Sequence, residues 1–147
     1  MDLTVAALVL VGRLLFVLFF LDSGINNIRK RATVAERLRG PTMPATIQRH
    51  AALFNLASAA LLVAGSAMIA LGAWPDIGAL LLALFLIPVT ITSHQFWKFA
   101  DPAQRRQQRT SFLRNGTLLG ACVLLFAFFA ARPQIPFTLV GPLFSLR

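Results

Sequence analysis

The sequence predicts an all-α fold, an integral membrane four-helix bundle, and three observations predict it. The chain of 147 residues is 57% hydrophobic and only 13% charged, with a mean hydropathy of +0.73, whereas a soluble domain carries about a quarter charged residues. Four long apolar runs divide it. Its net charge of +9 is confined to two of the stretches between those runs. A chain this apolar cannot clothe its surface in polar groups, so part of its solvent is lipid.

The runs are Leu3 to Leu21, interrupted only by Arg13; Ala51 to Ala73; Ile77 to Thr92, which extends through His94 to Trp97; and Asn115 to Ala131, with Phe112 near the helix start. A spanning helix needs roughly 17 to 25 mainly apolar residues, and helices satisfy their own backbone in hydrocarbon. The expected helices are about 3–28, 50–73, 76–97 and 111–131, in one domain over 1–132. GAWPD, residues 72–76, reads as a tight turn that makes the second and third helices an antiparallel hairpin. Pro88 is a candidate kink in the third helix. The first run lacks a basic start and a small-residue cleavage site, so it is read as a helix rather than a signal peptide. The tail, residues 133–147, is apolar and rich in proline, too short and too broken to span. It is expected at the outer interface, packed on a partner or loosely ordered.

Charge placement sets the direction. Six basic residues lie between Asn26 and His50 and five between Ser93 and Asn115, each set with one acid, so the two stretches hold +5 and +4. With four spans, both fall on one side. The positive-inside rule then predicts N-out/C-out with two basic cytoplasmic loops, in the cell inner (cytoplasmic) membrane. This split is what a polytopic protein needs, and it argues against nucleic acid as a partner. The basic loops suit anionic lipid headgroups. Cys122 is alone in an apolar run, which excludes an intramolecular disulfide and a cysteine metal site.

The order of these features resembles the DoxX family of small four-helix membrane proteins. GRLLFVLFFLDSGINNI resembles the family's first helix, with its arginine and its serine-glycine. RGPTMPATI resembles the loop carrying glycine and prolines. In TSHQFWKFADPAQRRQQRTSFLRNGTLLGACVLL, His94, Phe96 and Trp97 end the third helix as in the family, and Arg114 and Asn115 open the fourth. The family often has a lysine where Asn27 stands and a glutamate where Asn55 stands. Joint loss of both charges is physically consistent, because one unpaired buried charge costs several kcal/mol. The resemblance implies association with membrane oxidoreductase systems, including quinone-linked ones.

Polar groups in hydrocarbon are costly and are candidates for function. Helical spacing puts Arg13, Phe20 and Asn27 on one face of the first helix, and Asp22, Asn26 and Arg29 on another. Asn55, Ala59, Leu62 and Ser66 share a small, partly polar face of the second helix. Thr90, His94 and Trp97 align on the third; Asn115, Leu119, Cys122 and Phe126 align on the fourth. Asp22, Asn27, Asn55, His94, Trp97, Arg114 and Asn115 are therefore expected as one polar cluster at the cytoplasmic end. Arg13 is a buried charge near the midplane, roughly 15 Å in at about 1.5 Å per residue, pinned to Asp22 of another turn or to carbonyls.

Two readings of the cluster stand. One is a quinone headgroup pocket, with His94, Asn55 and Asn115 as donors, Trp97 as a wall, and His94 able to exchange a proton near neutrality. The plainer one is a hydrogen-bonded clasp of four helix ends, with Trp97 as an interface anchor. A third possibility is haem b ligated by His50 and His94. No phosphate loop, paired carboxylates or nucleophile-base motif is visible, so no catalysis by the chain alone is expected. The reading is an accessory or anchor subunit of a membrane redox or respiratory complex, in contact with lipids and other membrane subunits and contributing to a quinone site. The alternatives are a non-redox scaffold or lipid-interacting protein, and a haem b anchor.

Overall fold

A computed structural model describes residues 2–41, 43–132 and 134–145. Thr42, Pro133, Leu146 and Arg147, named or spanned above, lie outside the described residues. Among the described residues there are six α-helices: α1 (Leu3–Arg29), α2 (Arg31–Leu38), α3 (Ala45–Arg49), α4 (Ala51–Leu71), α5 (Pro75–Ser93) and α6 (Pro102–Ala131), with a 3₁₀ turn at Phe96–Lys98 before α6. Four segments are long and apolar enough to cross a membrane: α1, α4, α5 with its 3₁₀ extension, and α6. The protein is an all-α membrane bundle.

The distribution of side chains is inverted relative to a soluble protein. Leu8, Leu15, Leu53 and Leu124 are each at least 64% exposed, while Arg13, Asn55, Ser66, Asp76, Thr90 and Asn115 are buried. Only lipid covers that much leucine without penalty, and only a bundle interior can hydrogen-bond those polar groups. The helices pack in chain order, α1 on α4, α4 on α5, and α5 on α6. The core between them holds Val17, Phe20, Leu62, Ile69, Leu82 and Leu86.

Close approach depends on glycine at two crossings. A Cβ on Gly24 of α1 would stand 2.9 Å from Val63 Cγ2, and one on Gly78 of α5 would stand 2.7 Å from the carbonyl oxygen of Gly65. At the second crossing the backbones of α4 and α5 touch, as small residues permit in membrane helix pairs. The turn between them uses Gly72 in the left-handed region at φ 65°, against Thr138 of the tail.

Two expectations change here. The fourth spanning helix begins at Pro102, because Asp101 caps it and accepts from the Gln104 N–H at 2.9 Å; the hydrophilic first turns extend the rod beyond the apolar run. The third ends at Ser93, and Trp97 sits in the separate 3₁₀ turn. α5 continues through Pro88.

The tail is fastened at the bundle end where α1 starts and α6 ends. Leu139 N–H donates to Leu71 O at 3.2 Å, Val140 N–H to Gly72 O at 3.1 Å, and Trp74 N–H to Val140 O at 3.4 Å. Asp76, fully buried in the first turn of α5, accepts from Leu143 N–H at 3.1 Å and Phe144 N–H at 2.7 Å. Phe144 packs edge-on against Phe126 of α6, with ring centroids 5.9 Å apart.

Arg13 belongs to the same end. Its Nε donates to Ile69 O at 2.9 Å, and its Nη2 to Ala70 O at 2.7 Å and to Phe137 O at 3.1 Å. Its partners are carbonyls, two of them in the last turn of α4, where the helix leaves acceptors unsatisfied and carries its negative dipole end. Arg13 is therefore level with the end of α4 rather than midway along the bundle, because α1 begins about 15 Å beyond that level.

Candidate functional site

At the opposite end, next to the basic loops, a cleft of about 520 Å³ opens between the helices and is roofed by Val34, Arg37, Leu38 and Met43. It brings together Asn27, Asn55, His94, Arg114 and Asn115, one or more from each spanning helix. Its floor is apolar, with Phe85, Leu86 and Val89. No aspartate or glutamate is among its lining residues, while Arg37 and Arg114 both are. The cleft therefore favours a carbonyl or anionic group over a cation.

Local hydrogen bonds fix its polar walls. Asn55 Nδ2 donates to the carbonyl oxygen of Asn27 at 3.2 Å, tying α4 to α1. That carbonyl can only accept, so the amide nitrogen must face it, and Asn55 Oδ1 is left buried without a partner. His94 Nδ1 lies 2.9 Å from Gln108 Oε1, which ties the end of α5 to α6. An imidazole can donate through one ring nitrogen and accept through the other, so Nε2 is left as the hydrogen-bonding atom of His94 beside this contact. Asn115 is 6% exposed and lines the cleft. Arg114 places its guanidinium 5.6 Å from the Phe19 ring centroid, a cation–π contact that links α6 to α1.

The donor set thus differs from the expected one. Asn55 presents an acceptor, and His94 can donate or accept. Donors come from Asn115 and from Arg37 and Arg114. Arg37, Ser58, Ser93 and Gln108 line the cleft and are not among the residues expected in the polar cluster. Gln108 was hidden because its segment reads as loop by hydropathy, although Asp101-Pro102 is a helix-start signature.

Two expected members are elsewhere. Asp22 is exposed on the outer face of α1 together with Asn26 and Arg29; periodicity grouped these three on one face, and that face turns away from the core, although Asn26 still edges the cleft. Trp97 is 49% exposed and packs edge-on with Phe96 and Phe112 at 5.1 and 6.1 Å, outside the cleft lining. His50 is exposed at the start of α4 and does not line the cleft that holds His94, so the two imidazoles are not brought together there. No group of three metal-ligating side chains occurs among the described residues.

An apolar groove of about 220 Å³ adjoins the cleft between α4 and α5. Leu38, Ser58, Phe85, Val89 and Ser93 line both hollows. A polar chamber thus shares a wall with a lipid-side slot suited to one hydrocarbon chain.

Four apolar helices with leucine outside and a polar cleft at one end define a small multi-pass membrane protein. The DoxX family description matches residues 8–95, well over half of the chain, and the chain belongs to the DoxX family. The matched range includes Arg13, Asp22, Asn27, Asn55 and His94 and stops before Trp97, Arg114 and Asn115. No curated protein and no solved structure matches the chain.

Proposed function

We propose that this DoxX protein is an accessory or anchor subunit of a membrane redox assembly, and that its cleft receives the headgroup of an isoprenoid quinone. The observation that carries this reading is the pairing of an acid-free polar chamber with an apolar slot sharing five lining residues. A quinone has that division: carbonyl oxygens that need donors, and a tail that needs hydrocarbon. Asn115, Arg37 and Arg114 supply donors, and the His94 imidazole supplies a further hydrogen-bonding group for a carbonyl or hydroxyl oxygen of the ring. The hydrogen bonds Asn55–Asn27 and His94–Gln108 hold the helix ends at fixed spacing, so the clasp and the pocket are one structure.

The test is the quinone carried by the protein. After purification in mild detergent from quinone-containing membranes, solvent extraction should recover quinone with the native chain. His94→Ala and Asn115→Leu should each reduce recovery about tenfold, as loss of about 1.4 kcal/mol dictates. Undiminished recovery in both variants removes the pocket. Recovery of the chain only as an isolated homo-oligomer, with no redox partner by mass spectrometry, favours a non-redox scaffold.

Within this proposal both basic loops face the cytoplasm and both termini face outward, which the loop charge supports. Glu36→Cys and Gln104→Cys, placed at exposed positions of the two loops in a Cys122→Ala background, should react with an impermeant maleimide only after the inner face is opened. Cys122 is a buried member of the core, so its replacement by alanine removes the native thiol and leaves a small cavity. Labelling of the two positions from opposite faces contradicts this topology.

A further inference from the structure

A second hollow lies on the outer side of the same bundle end and backs onto the quinone cleft through Asn27 and Asn55, which line both. It is a groove of about 440 Å³ between α2 and the adjoining ends of α1 and α4. Alanines at 32, 35, 52 and 59 open it, and Ile28 and Leu56 line it. Ile28 is 53% and Leu56 66% exposed, so this wall continues into the lipid-facing surface. Above it stand Arg31 and Arg39 with Glu36 between them in sequence, all three exposed. The two arginines are eight residues apart, about 12 Å along a helix, a separation two long side chains can close from either end. Asn55 also lines the groove, and its Oδ1 is buried without a hydrogen-bond partner.

We infer that this groove is a binding site for one phospholipid with a singly charged phosphodiester and a hydroxyl-bearing headgroup, of the phosphatidylglycerol type. Two guanidiniums and one carboxylate leave a single positive charge, which matches one phosphodiester. Arginine provides the planar donors that a phosphate prefers. Glu36 and Asn55 Oδ1 are acceptors only, so they suit a headgroup that donates from hydroxyls. Acyl chains then run along Ile28 and Leu56 into the bilayer. A choline headgroup has no donor for Glu36 or Asn55. An ethanolamine headgroup has a donor but leaves the site with net charge. The site is distinct from general attraction to an anionic surface, which the loop before α6 offers equally.

The experiment is lipid retention by the full chain in detergent, read by native mass spectrometry after addition of phosphatidylglycerol, phosphatidylethanolamine or phosphatidylcholine of matched chains. One phosphatidylglycerol should be retained in preference to the other two. Near-surface basic residues are each worth about 1 kcal/mol toward an anionic lipid, so Arg31→Gln or Arg39→Gln should weaken retention about fivefold. The double variant should weaken it roughly twenty-five-fold. Arg105→Gln with Arg109→Gln removes the same charge from the other loop and should leave this adduct unchanged, as should His94→Ala. Equal retention of all three lipids, or an equal loss with the Arg105 and Arg109 pair, overturns the inference. Unchanged helical circular dichroism in each variant keeps a loss of binding separate from a loss of fold.

Discussion

Arg13→Ala is expected to lower the stability of the bundle by about 3–5 kcal/mol, because it removes one buried charged donor from three carbonyl acceptors. Arg13 is 2% exposed and serves Ile69 O, Ala70 O and Phe137 O. Ala70 O is the acceptor most dependent on it. In a continuing helix its donor would be Trp74 N–H, but that group is turned to Val140 O. Substitution by methionine preserves much of the volume and still leaves this carbonyl unpaired, so Arg13→Met should recover little. Lysine reaches one acceptor and should recover part of the loss. Thermal unfolding in mild detergent measures the stability change. Because the Phe137 carbonyl is one of the three acceptors, the tail should loosen as well, and chymotrypsin should cut after Phe137 about tenfold faster. A native-like melting temperature in Arg13→Ala contradicts the assignment of Arg13 as the pin of this end.

The connection between the two ends of the molecule follows from the same bonds. Arg13 fixes α1 against the end of α4, and Asn55 fixes the other end of α4 against the Asn27 carbonyl of α1. Arg13 and Asn27 are separated by fourteen residues on α1, and Ile69 and Asn55 by fourteen on α4. That equal spacing on antiparallel helices makes two fasteners in register, about 21 Å apart at the helical rise. The polar cleft is built at one fastener and the tail is anchored at the other. A change at Arg13 therefore acts on the register of α1 and α4, and through it on the Asn55 wall of the cleft.

Much of the architecture was legible because hydropathy is a local property. Four apolar runs yield four rods, and the turn at Gly72 to Asp76 needs no long-range information. The small face of α4 was legible for the same reason: Asn55, Ala59, Leu62 and Ser66 recur at helical spacing, and all four are buried. Spacing tells which residues share a face but not which face meets a neighbour. Asp22 illustrates the limit. Its companions Asn26 and Arg29 were grouped with it, yet nothing in the spacing says that this face looks outward. Counting along α1 gives the distance of Arg13 from the start of that helix but not which turn of α4 it meets, because the helices begin at different levels. The tail was illegible for another reason: on its own side the fastening uses backbone N–H and C=O groups of residues 137–144, which every sequence possesses. Asp76 reads as the end of the GAWPD turn, although it stands in the first turn of α5, where an acid after a helix-starting proline is well placed to accept N–H groups.

Gly78→Val is expected to destabilise the protein by about 3 kcal/mol, at the upper end of overpacking costs. The reason is geometric. The first added carbon would stand 2.7 Å from the carbonyl oxygen of Gly65 and 3.0 Å from Ile69 Cγ1 and Met68 Cβ. A side chain can rotate away, but a helix carbonyl cannot, so α4 and α5 must separate along their crossing. Gly120→Val on α6 supplies the comparison, since an added carbon there meets nothing within 4 Å. It carries the same loss of glycine and the same β-branching and should change stability by less than about 0.5 kcal/mol. Separation of α4 from α5 also widens the apolar slot between them, whose walls include Leu61 and Leu84. Quinone recovery from Gly78→Val should therefore fall together with its melting temperature, whereas Gly120→Val should keep both. If the two glycine variants melt alike, the Gly65–Gly78 backbone contact does not set the spacing of these helices.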